Sequence, residues 1–259
     1  MLSLYLYGLA GMLTLGVFTW LLSLCMRDVS IVDSIWSLMF LAAALVYALT
    51  VPLETRGWLV LILVTLWALR LSLHLTWRNW GEPEDRRYQA IREKYSPNFA
   101  IKSLFIIFIF QMVLASVAAL PLLPAMVQPA PLNLFDALGL LLWVVGMSFE
   151  TVGDWQLARF KANPDNQGKV MQSGLWRYTR HPNYFGEWCI WWGFFFLAAA
   201  TGGWWTIVSP LLMTFLLLRF SGVTLLEQDI GERRPAYRDY IRQTNAFFPG
   251  PRKSGESAS

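Results

Sequence analysis

Charge is scarce in this chain: 15% of its 259 residues are Asp, Glu, Lys or Arg, against about 25% in ordinary soluble domains. That deficit, with 56% hydrophobic residues and several apolar runs near twenty residues long, excludes a soluble globule and indicates a polytopic membrane protein. Cysteine is limited to Cys25 and Cys189, both in or beside apolar segments. They read as packed thiols rather than a disulfide or a metal pair. No His/Cys cluster has zinc spacing, so no metal is expected. No GxGxxG follows a strand and no P-loop is present. With hardly any predicted strands, a Rossmann cofactor domain is excluded, and any nucleotide must be held by helices and their loops. Internal repeats, low-complexity stretches and linkers are absent. Residues 1–249 therefore read as one domain, followed by a small polar tail, 250–259, expected to be mobile. Residues 1–26 lack a basic n-region, and their apolar run is long for an h-region. They read as a first span, not a cleaved signal.

What is present is hydrophobic length. Apolar runs at roughly 3–26, 31–50, 57–78, 103–121, 134–152, 184–202 and 204–221 each approach the length needed to cross about 30 Å of hydrocarbon as a helix. The expected fold is an all-α integral membrane protein of seven transmembrane helices. The net charge of +4 does not imply nucleic acid, because the basic residues lie between the spans, where they act as topology signals. Loops 79–102 and 153–183 and the tail, with Arg233 and Arg234 among others, are basic. The alternate loops hold one basic residue, Arg56. The positive-inside rule then puts the N-terminus outside and the C-terminus in the cytoplasm. Trp204 and Trp205 fall where an outer aromatic belt would sit.

Residues 173–187, SGLWRYTRHPNYFGE, carry the densest chemistry. Arg177, Arg180, His181, Asn183 and Glu187 precede an apolar run. A carboxylate entering a span is costly unless something uses it. Asn183 and Glu187 share a helical face one turn apart. The bland alternative is a structural ion pair. Arg70 and His74, four apart on the third span, form a polar stripe with Trp67 and Arg78; snorkelling and a satisfied core histidine are the alternatives. Glu150 and Asp154 are one turn apart at the end of the fifth span, with Lys161 and Lys169 beyond. Carboxylates suit ribose hydroxyls and cations suit phosphates, whereas a solvated helix end needs no ligand. Arg219 and Glu227 either close the cytoplasmic side of a pocket or belong to an interfacial amphipathic helix. Asp33, in SIVDSIW, reads first as a helix cap, and otherwise as a group projecting into the pocket.

This set of features resembles the membrane steroid 5α-reductase family, in its bacterial branch. The resemblance rests on GLWRYTRHPNYFGEW, with its Gly-Leu, Asn and Gly-Glu spacing, and on Asn79, Gly81 and Pro83 in NWGEP. It implies a seven-helix fold of the bacterial inner membrane that binds NADPH from the cytoplasmic side. It also implies hydride transfer to the β-carbon of a lipid enone such as a 3-oxo-Δ4-steroid. Glu187 matches the glutamate that binds the ketone oxygen. Asn183 and Asp154 match cofactor-contacting positions, and Lys161 and Lys169 fall where the family has arginines. Arg219 matches an arginine ending the last span, and Asp33 lies near an active-site Gln-Glu pair. Asn79, Glu150, Tyr178, Arg180 and His181 complete the expected cofactor set. Where the family has a third-span tyrosine, this chain has Trp67 or Ala68; Tyr184 and Tyr88 are the available substitutes. The RHPNY element also occurs in sterol reductases and in isoprenylcysteine and phospholipid methyltransferases, which use S-adenosylmethionine. Residues 227–240 echo the acidic and tyrosine-containing end of those methyltransferases. Glu187 directly after Gly186, the acid pair on the fifth span and the seven spans favour the reductase. A lipid-binding or scaffold protein would need these charges to be structural.

Overall fold

The computed structural model describes residues 1–220, 223, 227 and 235–253, with Phe220 described by its backbone alone. Among them every regular element is helical. Five helices are long and apolar enough to cross a membrane. They are α1 (Leu2–Met26), α2 (Ile31–Thr50), α3 (Thr55–Asn79), α5 (Phe99–Ala118) and α7 (Leu134–Ala162). Between them lie the short helices α4 (Arg86–Lys94) and α6 (Leu122–Val127). Then come α8 (Pro182–Ala199), the shorter apolar α9 (Trp204–Arg219) and α10 (Ala236–Gln243). Of the seven expected spans, five thus meet the length and composition of a crossing helix. The segments of the other two are helical, as α8, which opens on Pro182, Asn183 and Glu187, and as the shorter α9, and neither meets that length and composition. Arg233, Arg234 and residues 254–259 of the tail lie outside the described residues.

The chain forms two compact units. The first comprises Met1–Asn133 and Leu197–Ser209; the second comprises Leu134–Phe196 and Pro210–Ser259.

In the first unit α1, α2 and α3 follow one another through short turns. The αL residue Arg27 ends α1, and its N–H and that of Asp28 both return to the Ser23 carbonyl. Gly8 lies against the Tyr47 ring of α2, so close that a Cβ there would be 2.5 Å from the Tyr47 hydroxyl. Ser37 Oγ donates to the Ala68 carbonyl, tying α2 to α3 at 2.8 Å. Phe40 and Trp67 meet edge to face, with centroids 5.5 Å apart and both fully buried. α3 ends in a type II turn, with Trp80 at φ −64° and ψ 120° and Gly81 at φ 78°. The Glu82 N–H closes the turn onto the Asn79 carbonyl at 3.1 Å. Only a residue tolerant of positive φ suits that third position, which accounts for the glycine in NWGEP.

Asp33 does not cap α2. Ser30 holds the N-cap position without a side-chain cap bond, and Asp28 accepts the Ser30 N–H at 2.8 Å. The Asp33 carboxylate instead receives the Tyr88 hydroxyl at 2.6 Å and Arg87 Nη2 at 2.8 Å. An in-helix carboxylate with two strong donors from α4 has no need of backbone N–H groups.

In the second unit α7 and α8 run antiparallel along a glycine seam. A Cβ on Gly146 would stand 2.4 Å from the Gly186 carbonyl oxygen, and one on Gly193 would stand 2.7 Å from that of Gly139. Gly153 faces Pro182. The seven-residue spacing of Gly139, Gly146 and Gly153, and of Gly186 and Gly193, keeps the small side in register as the helices wind. Small residues allow backbones to approach closely where hydrophobic driving force between membrane helices is weak. α7 also runs ten residues past the expected end at 152, so Asp154 and Lys161 sit on a helix, not in a loop.

Candidate functional site

The seam sets the position of the polar side chains in the second unit. Glu150 is 2% exposed and lies against Gly186, the residue before Glu187. Asp154, one turn on, accepts Asn183 Nδ2 at 3.3 Å. Asn183 Oδ1 in turn accepts the Tyr184 N–H at 3.1 Å, tying the first turn of α8 to its own side chain. Glu187 is buried, and its Oε1 accepts the indole N–H of Trp191 at 2.9 Å. Glu150, Asp154, Asn183 and Glu187 are thus brought onto one helix pair. The glycines make this possible, because any larger residue at Gly186 would displace Glu150.

The loop before α8 is fastened from two sides. On one side Trp176 Nε1 donates to the Gly153 carbonyl at 3.0 Å and the Leu175 N–H to Gln156 Oε1 at 3.0 Å. On the other lies the C-terminal segment. Thr179 Oγ1 donates to the Phe247 carbonyl, the Tyr240 hydroxyl to the Trp176 carbonyl, and the Gly250 N–H to the Tyr178 carbonyl. The Lys253 N–H bonds the Gln243 carbonyl at 3.0 Å, and Arg252 Nη2 bonds Gln172. The first residues of the polar tail, 250–253, are thus hydrogen-bonded to the loop before α8 and to the end of α10.

Arg180 is the centre of this fastening. Its Nε and Nη2 pair with both oxygens of Glu227 at 2.6 and 2.7 Å, and Nη1 donates to the carbonyls of Thr244 and Ile241. His181 Nε2 reaches Glu227 Oε1 at 2.9 Å, and the His181 ring stacks on Tyr184 at 5.4 Å. Burial pushes the Glu227 carboxyl up, but the hydrogen bonds and charges of His181 and Arg180 outweigh it and hold it down to about 2. Arg180 and His181, expected to touch a cofactor, are thus engaged with Glu227 and the chain end. Lys161, Lys169 and Tyr178 are exposed, as is Arg219 at the end of α9.

Asp33 and Asn79 belong to the first unit, where they have their own surroundings. Tyr88, 6% exposed, bridges Asp33 and Gln111, whose Nε2 donates to the hydroxyl at 3.1 Å. Burial and the Asp33 carboxylate push the Tyr88 phenol up. Arg92 grips Glu84 through two bonds of 2.7 and 2.8 Å, which, against burial, lower that carboxyl. Arg70 and His74 are both half-buried on α3.

Residues 19–244 match the family model described as protein of unknown function DUF1295. The chain belongs to the DUF1295 family. That family includes steroid 5-alpha-reductase-like proteins. An uncharacterised protein of Schizosaccharomyces pombe is 27% identical over 282 residues, covering 95% of this chain and 79% of the relative. No solved structure matches. The DUF1295 match takes in both the glycine seam and Glu227. The sequence reading missed the seam, although its signal, glycines at a seven-residue interval on two adjacent apolar segments, is visible without any structure.

Proposed function

We propose that this DUF1295 protein is a membrane reductase that uses NADPH to reduce the carbon–carbon double bond of a 3-oxo-Δ4-steroid or similar lipid enone. In this reading α8 and α9 complete seven spans, the N-terminus is outside, the C-terminus is cytoplasmic and the membrane is a bacterial inner membrane. One observation carries it: Glu150, Asp154, Asn183 and Glu187 are gathered on a glycine-packed pair of apolar helices, where ionisable groups are expensive unless used.

The donor set fits the cofactor. Asp154 and Asn183 suit ribose and amide groups, while the exposed Lys161 and Lys169 suit phosphates. Arg180 is already engaged at all three nitrogens, so the phosphates fall to the lysines. When bound, NADPH would supply the hydride. Glu187, directly or through a neighbouring donor, serves the ketone oxygen. Trp191 fixes one of its oxygens, which leaves the other side of the carboxyl group to organise a hydrogen bond to the ketone oxygen. That bond strengthens as the oxygen gains enolate charge, which is stabilisation of the oxyanion-hole kind. Tyr184, whose backbone N–H bonds the Asn183 side chain and whose ring stacks on His181, stands on the same first turn of α8. The apolar faces of α7 and α8 exclude water, and solvent returns the proton to the α-carbon.

A second reading, an S-adenosylmethionine-dependent methyltransferase of the isoprenylcysteine or phospholipid type, draws on one contact. Arg180 and His181 of the RHPNY element close on Glu227, which joins the two segments that those enzymes have in common with this chain. Thermal unfolding of the detergent-solubilised protein separates the readings, because a ligand bound only by the folded state raises its apparent stability. NADPH should raise the midpoint and S-adenosylmethionine should not. The reverse pattern would sink the reductase.

A further inference from the structure

Opposite the glycine seam, α7 presents a stripe that changes character along its length. Leu141, Val144, Ser148, Val152, Trp155 and Arg159 follow one another three or four residues apart, so they share one side of the helix, and all of them are exposed. From Leu141 to Val152 the stripe is apolar, because Ser148 Oγ donates to the Val144 carbonyl at 2.8 Å and keeps its hydrogen bond within the helix. At 1.5 Å per residue that stretch is about 17 Å long, close to half of the hydrocarbon thickness of about 30 Å. Trp155, 57% exposed, ends it, and the Arg159 guanidinium lies over the Trp155 ring at 5.5 Å. An apolar run, then an indole, then a cation is the order of environments along a helix that passes from acyl chains through the interface to the head groups.

A second cation stands at the same end. The Leu175 N–H bond to Gln156 Oε1 and the Trp176 Nε1 bond to the Gly153 carbonyl hold the 174–177 turn against this part of α7, and Arg177 of that turn is exposed. Among the described residues no carboxylate pairs with Arg159 or Arg177. The acids of this part of α7, Glu150 and Asp154, are buried on the side of α8, against Gly186 and Asn183. Two cations without a carboxylate select an anion, and guanidinium groups suit phosphate oxygens in particular. The apolar stripe leading to them selects an anion that carries acyl chains. A free phosphate or a nucleotide would leave Leu141, Val144 and Val152 uncovered.

We propose that this side of α7 binds an anionic phospholipid, with an acyl chain along Leu141–Val152, the glycerol level at Trp155 and the phosphate at Arg159 and Arg177. The experiment is thermal unfolding of the full chain in phosphatidylcholine nanodiscs, with and without added phosphatidylglycerol. The anionic lipid should raise the midpoint by roughly 3 °C or more, and native mass spectrometry should find it retained in preference to phosphatidylcholine. The double variant Arg159→Gln, Arg177→Gln should unfold like the parent in phosphatidylcholine alone and should lose the increment. Arg242→Gln also removes an exposed cation, but one that Asp239 already pairs at 2.6 Å, so it should keep the increment. Equal midpoints with and without phosphatidylglycerol would overturn the site, as would retention of the increment by the double variant. A loss in Arg242→Gln as large as in Arg159→Gln alone would also overturn it, since the attraction would then belong to net charge and to no particular place. Glycerol 3-phosphate at millimolar levels in phosphatidylcholine discs should give no shift. A shift as large as that of the lipid, abolished by the double variant, would overturn the lipid as the occupant.

Discussion

Arg180 and Glu187 stand seven residues apart across the start of α8, both buried, and their surroundings differ in kind. Arg180 meets a carboxylate with two nitrogens and two backbone carbonyls with the third. Glu187 accepts a neutral indole N–H and stands on a helix packed closely against α7 through glycines. A planar guanidinium held in a bidentate pair and by main-chain carbonyls has its geometry consumed by the fold. An acid on a rigid pair of apolar helices, beside Glu150 and Asp154, is the arrangement a reaction site needs. The same fifteen-residue stretch thus carries a bracket and, in the proposed reading, a catalytic carboxyl group.

Breaking the bracket should have the largest effect on stability. Arg180→Met leaves Glu227 partly buried without its cation, and such orphaned charges typically cost about 3–5 kcal/mol. The variant should unfold at much lower temperature in detergent and expose the 236–250 segment to protease. The pH dependence follows from Glu227, whose folded pKa is held down to about 2 from an ordinary 4.5. A depressed carboxyl contributes stability above its unfolded pKa, and that contribution is lost as pH falls through the folded value. The parent should therefore lose stability between about pH 4.5 and pH 2, while Glu227→Gln should show a flatter profile over that window. Equal slopes for both proteins would mean that the bracket contributes nothing.

Removing the acid tests the other half. Glu187→Gln keeps an acceptor for Trp191 but puts an amide in place of the carboxyl group. Turnover of NADPH with a 3-oxo-Δ4-steroid should fall on the order of a hundredfold, equivalent to about 2.7 kcal/mol of barrier. NADPH affinity and the unfolding midpoint should stay close to those of the parent. A stability loss comparable to that of Arg180→Met, with turnover per folded molecule preserved, would place Glu187 with the bracket and abolish the contrast.

Legibility in the sequence follows the range of the interaction. α2 begins and ends where the apolar run does, at 31 and 50, because hydropathy and helicity stop together at Val51 and Pro52. α7 does not: its apolar run ends near 152, yet residues 153–162 are mostly good helix formers and the helix continues on a polar face. Asn183 and Asp154, which contact each other, come together in the sequence only through the family resemblance; helical spacing pairs Asn183 with Glu187 and Asp154 with Glu150. The Arg180–Glu227 pair spans 47 residues, and no periodicity connects them. Asp33 at the start of a helix resembled a cap, and only the return of α4, bringing Arg87 and Tyr88, shows its actual partners.

The smallest expected effect sharpens the contrast from the first unit, where an ion pair of similar length is open to solvent on its arginine side. Arg87 Nη2 is 2.8 Å from Asp33 Oδ2, but the Arg87 side chain is 41% exposed, against 8% for Arg180. Arg87 also reaches Asp85, through Nε at 3.0 Å. Solvent screens such a pair, and ordering a long side chain offsets part of the gain, so exposed pairs are worth about 0.2–1 kcal/mol. Asp33 also accepts the Tyr88 hydroxyl at 2.6 Å, a bond that does not involve Arg87. Arg87→Gln should accordingly lower the unfolding midpoint in detergent by no more than a few degrees, and by less still in high salt, where the parent has already lost most of the pair. A loss as large as that of Arg180→Met would show that burial does not separate the two pairs. It would make the Asp33–Tyr88–Arg87 cluster a second bracket, equal in weight to the one around Glu227.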